Sequence, residues 1–116
     1  MKLPETVLVG WKTFKIEDWD PKLAASSRRY GECDHTPAII RIDTSHSSEQ
    51  VLETLLHELY HAAIEVGGLV AGPGPQWDEE RVVTYFASWQ STLLKQNPAL
   101  AKLIWQVYGA AEGETK

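Results

Sequence analysis

His57-Glu58-Leu59-Tyr60-His61 reads H-E-x-x-H, and the stretch that holds it, residues 47–66, carries the marks of a helix. Histidines four apart on a helix stand one above the other, about 6 Å apart along the axis at roughly 1.5 Å per residue. Glu58 follows about 100° further round. On the helical wheel Gln50, Thr54, His57, Glu58, His61 and Glu65 gather on one side. Leu52, Leu55, Leu56, Leu59, Ala62, Ala63 and Val66 gather on the other. Ser47 and Gln50 make an S-x-x-Q capping box, Glu49 suits the positive end of the helix dipole, and Gly67-Gly68 stops the helix. Random ordering of this composition would give H-E-x-x-H in roughly one chain in eighty, so its surroundings must decide what it means.

Imidazoles at this spacing can reach one tetrahedral Zn²⁺, at about 2.0–2.1 Å per nitrogen. A glutamate in the second position sits beside such a metal without ligating it, where the general base for a water belongs. His57 and His61 are therefore the expected metal ligands and Glu58 the expected catalytic base. A third ligand is needed, and the usual catalytic set is two His and one Glu. Glu79 and Glu80 lie in the first turn of the next helix, which is expected to begin near Asp78. The helix dipole favours acidic residues there with or without a metal. Glu80 shares a stripe with Val83, Ala87 and Gln90, and Glu79 with Val83, Phe86 and Gln90, so periodicity leaves both open.

The 116 residues, 43% of them hydrophobic, suffice for one domain spanning 1–116, with 110–116 as a loose tail. The net charge is −5, and the basic residues are scattered apart from Arg28-Arg29. That argues against nucleic-acid binding, which needs clustered Lys and Arg. The N-terminus lacks the apolar run of a signal peptide, and no window is long enough to span a membrane. Cys33 is the only cysteine, which excludes an internal disulfide. A cytoplasmic location is expected.

Residues 6–16 (TVLVGWKTFKI) are rich in β-branched and aromatic side chains and predict a strand, bent at Gly10. Asp20-Pro21 predicts a short helix over 21–29, capped by Asp20. Residues 30–34 predict a short strand, His35-Thr36-Pro37 a turn, and residues 38–43 the clearest strand in the chain, pairing with 30–34 as a hairpin. Gly72-Pro73-Gly74-Pro75 predicts a surface loop. Asn97-Pro98 breaks the helix that follows, and Pro98 opens a last one with Leu100, Leu103, Ile104 and Val107 inward, ending at Gly109. The expected fold is α+β, a small antiparallel sheet of about three strands packed on the H-E-x-x-H helix and C-terminal helices.

The order H-E-x-x-H, loop, then a helix opening in Glu resembles the gluzincin metallopeptidases, several of which carry E-x-x-A-D/N-x-x-A on that second helix. Setting Ala87 on the final Ala places Glu80 on the ligand and Val83 on the small residue, while Thr84 stands where the pattern has Asp or Asn. Residues 30–35 (YGECDH), the Ile-rich strand, residues 54–62 and Asn97-Pro98 together resemble small zincin-like proteins encoded by bacteriophages and prophages. This likeness covers roughly residues 29–104. It implies a minimal zincin core, zinc held by His57, His61 and Glu80, and a peptide or protein substrate. In zincins the strand before the motif helix edges the cleft, so residues 38–43 are expected at that edge, open to an added peptide strand.

Other residues carry weaker signals. His35, at a strand end, is a turn residue or a cleft contact, and His46 in a polar loop is expected to be solvated. Cys33 reads as a small buried hydrophobe. Tyr60 and Tyr85 read as packing with a satisfied hydroxyl, or as oxyanion donors. For Trp11, Trp19, Trp77, Trp89 and Trp105, core or helix-docking roles suffice. Two functions compete: a zinc-dependent metallopeptidase with Glu58 as general base, and a non-catalytic zinc-stabilised scaffold or protein-interaction module, including a regulator that acts through a partner protein. A shared clue favours the first, since a purely structural site gains little from Glu58 and fills its fourth position with protein.

Overall fold

The computed structural model describes residues 2–67 and 79–109, with the backbone alone for 79–82 and 84. The expected loop at 72–75, Trp77 and the tail at 110–116 lie outside the described residues. Thr6–Val9 (β1) and Lys12–Asp18 (β2) are two strands and not one bent one. Gly10 adopts φ 61°, a left-handed conformation that glycine takes without steric cost, and the chain reverses there. Val7 then pairs with Phe14 in an antiparallel hairpin. Pro21–Ser27 (α1) follows, with Asp20 accepting from the Lys22 N–H as its cap. Gly31–Asp34 (β3) and Ile39–Ile42 (β4) form the expected antiparallel hairpin.

The sheet has the order β1-β2-β4-β3, so it is four-stranded and mixed. The expected α+β class holds, with a small sheet packed on the long motif helix, but the sheet is not all antiparallel: β2 and β4 run parallel, Ile16 beside Ile40. The excursion through α1 carries the chain past β2, and the β3–β4 hairpin returns with its second strand inward. The edge expectation also fails. β4 is an inner strand, flanked on both sides, and the terminal strand beside the motif helix is β3.

Alternation sends Val7 and Val9, Phe14 and Ile16, and Ile40 and Ile42 to one face of the sheet, where all six are buried. Ser48–Val66 (α2) lies across that face and buries Val51, Leu52, Leu55, Leu59, Ala62 and Ala63. Fully burying a Val, Leu, Ile or Phe side chain stabilises by about 1.5–3 kcal/mol, so these contacts are the main favourable contribution joining α2 to the sheet. Ser47 caps α2, accepting from the Gln50 N–H at 3.2 Å. The reciprocal bond from the Ser47 N–H to Gln50 Oε1 is not made; the Gln50 side chain turns along the helix, where its Nε2 donates to Thr54 Oγ1 at 3.1 Å. Glu79–Gln96 (α3) adds Trp89 and Leu93 to the core, and Pro98–Ile104 (α4) adds Leu100 and Leu103. A π-helical turn, Trp105–Gly109, continues α4. Among the described residues no helix is long and apolar enough to cross a membrane.

Two of the tryptophans depart from a core role: Trp11 is 77% and Trp105 75% exposed, while Trp19 and Trp89 are buried. Two non-glycine residues have left-handed backbones, Arg28 at φ 60° and Ala38 at φ 56°. Such a conformation costs on the order of 1–3 kcal/mol and persists where the surroundings enforce it.

Asn97, at the corner between α3 and α4, does more than break a helix. Its Oδ1 accepts from the Leu8 N–H and its Nδ2 donates to the Leu8 carbonyl, both at 2.8 Å, closing the outer edge of β1. Nδ2 also donates to the Leu93 carbonyl at 2.8 Å. Replacing Asn97 with Ala removes both partners of Leu8 and should lower unfolding stability by about 1–3 kcal/mol in urea denaturation.

Candidate metal centre

The motif helix presents its two histidines outward. His57 and His61 are both exposed, and their Nε2 atoms converge to 3.2 Å with ring centroids 4.9 Å apart. Two nitrogens bound at 2.0–2.1 Å to one tetrahedral ion would lie about 3.3 Å apart. The pair is thus spaced as two ligands of one ion would be, and the same approach also suits a ring-to-ring hydrogen bond with one imidazole donating. Imidazole nitrogen is a donor that zinc accepts, so the two rings are chemically suited to that ion.

Among the described residues no three His, Cys, Asp or Glu side chains gather into a metal-holding group. The sequence-predicted third ligand, Glu80, and its rival Glu79 open α3, and their side chains lie outside the described set. The described part of the site is therefore the pair His57 and His61 with Glu58.

Glu58 is 8% exposed, as is expected of few glutamates. The helical wheel places it and Thr54 on the polar side, yet both are buried. The cause is Gly31 on β3. A Cβ there would come within 2.6 Å of Thr54 Cγ2 and 3.0 Å of the Arg41 carbonyl, so only glycine lets the strand settle this close to α2. β3 thereby roofs the row of α2 on which Thr54 and Glu58 stand. Burial raises the Glu58 pKa, an effect opposed by the neighbouring His61, His57 and Arg29 side chains and reinforced by Glu32.

An open cleft of about 390 Å³ runs along this row, between α2 and the segment linking α1 to β3. His57 and Glu58 line it with Gln50, Glu53 and Thr54 on one wall and Arg28, Arg29 and Tyr30 on the other. Those last three were not singled out as site residues from the sequence. The adjacency of two arginines in a chain of scattered basic residues was the available signal.

Cys33 is half-buried against the core, and its thiol is pushed up to about 12, by burial first and then by the nearby Glu58 carboxylate. His35 sits at the β3–β4 turn, its Nδ1 3.6 Å from Cys33 Sγ and its ring edge-on to Phe14. It does not line the cleft with His57 and Glu58. Tyr60 packs on Phe86 and Trp89 and its hydroxyl accepts from Gln90, while Tyr85 donates to the Ala63 carbonyl. Both hydroxyls are engaged away from the cleft.

His46 is exposed, as expected of its polar loop, and it is also engaged: its Nε2 lies 3.0 Å from Oδ2 of the buried Asp43, and its ring meets Tyr30 edge-on. Asp43 Oδ1 accepts from the Ser45 hydroxyl at 2.6 Å and the Ser45 N–H at 3.0 Å. The Ser45 hydroxyl bond, outweighing burial, holds this carboxyl below its ordinary range.

No family model, curated protein or solved structure matches the chain.

With its folded pKa above the ordinary glutamate value of 4.5, Glu58 binds its proton more tightly in the folded state. Stability therefore declines as pH rises from that value through the raised one, then levels off. In chelator-treated protein, Glu58→Gln should be more stable than wild type at pH 7. The gap should close below the ordinary glutamate value, as read by urea denaturation across a pH series.

Proposed function

We propose that the chain is a zinc-dependent metallopeptidase, with zinc held by His57, His61 and Glu80 and with Glu58 as general base. The convergence of the two Nε2 atoms to 3.2 Å beside a buried glutamate carries this reading. The resemblance of residues 29–104 to the phage and prophage zincin-like proteins supports it. Zinc, when bound, would polarise a scissile carbonyl and make a water more acidic. Glu58 would take the proton from that water on a carboxylate oxygen and pass it to the leaving amine. A carboxyl whose pKa is raised by burial is suited to both halves of that transfer.

The substrate is an extended or unfolded polypeptide. β3, the terminal strand beside the cleft, takes the role expected of residues 38–43, offering backbone groups to which a peptide could add as another strand. A peptide or protein, and not a nucleic acid, is the partner, since the basic groups are few. A cytoplasmic setting belongs to the same reading.

Elemental analysis tests the ligands. His57→Ala and His61→Ala should each lose zinc, and Glu80→Gln should weaken zinc affinity strongly. Glu79→Gln should change little beyond a dipole effect of about 0.3–1 kcal/mol. Zinc retained in both histidine variants would rule out the site. Turnover of a diverse peptide library should fall by about 10²–10⁴-fold in Glu58→Gln with zinc still bound. No cleavage by zinc-loaded wild type would favour the scaffold reading, and equal cleavage by both would reveal a contaminating protease.

Chelation provides an independent check. Ligand binding to the folded state alone raises stability, so zinc should raise the melting temperature. The chelated protein should nonetheless stay folded, because the sheet and α2 already share a buried apolar core. Loss of its circular dichroism on chelation would point to zinc as a structural staple.

A further inference from the structure

We propose that Arg28, flanked by Arg29, is the seat for a carboxylate of the polypeptide substrate, borne by an acidic side chain or by the chain terminus. This rests on the peptidase reading for its biological sense, though not for the existence of the seat. Arg28 and Arg29 form a ridge between two clefts. One is the cleft of about 390 Å³ that contains His57 and Glu58. The other, of about 370 Å³, lies between α1 and the loop that follows β4, with Asp43, Ser45 and His46 on its wall. An anion on the ridge would therefore lie beside the candidate centre.

The two arginines are differently committed. Arg29 is held by Glu32 at 3.5 Å and lies over the Trp19 ring at 5.7 Å. Arg28 makes no ion pair among the described residues. The one carboxylate on the second cleft's wall, Asp43, is already occupied on both oxygens by Ser45 and His46. It leaves the guanidinium without a competitor there, whereas on the first cleft Glu53 and Glu58 are the carboxylates near it. A guanidinium presents a fork of N–H donors matched to a carboxylate, so it recognises that group by shape and charge together.

The backbone adds a second line of support. Arg28 ends α1 in the left-handed conformation at φ 60°, its N–H bonded to the Ala25 carbonyl at 3.1 Å. Glycine is the residue that suits such a helix end. An arginine at this position places a long cationic side chain on the cleft rim at a conformational cost that glycine would avoid. A merely structural residue would gain from replacement by glycine, while a binding residue would trade function for stability.

The test uses three labelled peptides of equal length: one with internal Glu residues and blocked ends, one with Gln in their place and a free C-terminal carboxylate, and one neutral and amidated. Binding is read by fluorescence anisotropy at low salt with zinc-loaded Glu58→Gln protein, which holds peptide without consuming it. At least one carboxylate peptide should bind about tenfold more tightly than the neutral one, and which of the two does so tells an acidic side chain from a chain terminus. Adding Arg28→Gly should abolish that advantage while keeping or raising the urea midpoint. Arg28→Glu should reverse it in favour of a Lys-containing peptide. Equal binding of all three peptides, or an advantage that survives Arg28→Gly, overturns the seat. Wild-type cleavage separates the two proposals. Carboxylate-dependent binding with no hydrolysis leaves the seat and removes the peptidase, and hydrolysis indifferent to carboxylates does the reverse.

Discussion

The contact on which the rest depends is the seating of β3 on α2 at Gly31. With no side chain there, the strand lies against Thr54 and covers the row that continues to Glu58. Two neighbours on one helix turn consequently meet opposite environments. His57 faces outward and stays free to bind, while Glu58 is drawn under the strand and loses water. The same seating places the α1–β3 link, with its two arginines and Tyr30, as the opposite wall of the cleft. Position on the helix sets which atoms can converge, and the height of the strand sets how wet each one is.

Glu58 shows how opposing effects divide. Burial disfavours its charge, and the adjacent imidazoles and Arg29 favour it when they are themselves charged. Burial is the largest influence, so the group holds its proton more readily than an exposed glutamate. Two residues along β3 from Gly31, the Cys33 thiol is subject to the same dry environment and to the Glu58 charge, and it is held firmly in its neutral form.

Much of this was legible in the sequence. The apolar spacing of Leu52, Leu55, Leu59 and Ala62 defined α2, Ser47 and Asp20 marked two helix starts, and Asn97-Pro98 marked the α3–α4 corner. The convergence of His57 and His61 follows from a four-residue interval on any helix. What was not legible depends on neighbours distant in the chain. Alternation in residues 38–43 shows which side chains face the core, but says nothing of which strands lie to left and right, so the inner place of β4 and its parallel pairing with β2 were missed. A helical wheel assigns Thr54 and Glu58 to the polar side because it has no knowledge of the distant strand β3, whose Gly31 settles against Thr54. The engagement of His46 by Asp43 hides similarly in an ordinary polar loop, since Asp-x-x-His can serve many turns.

The Asn97 side chain ties the backbone of Leu8 across a separation of 89 residues. During synthesis at about 5–20 residues per second, the outer edge of β1 would wait roughly 4–18 s for its partner to be made. Through that interval a strand of β-branched and aliphatic residues presents unpaired backbone groups, the setting in which strands pair with the wrong chain. The link also joins distant parts of the chain, so its loop-closure entropy must be met late in folding, after the sheet and α2 have formed locally. A single amide at a helix corner thus sets the hour at which the nascent chain becomes safe from its neighbours.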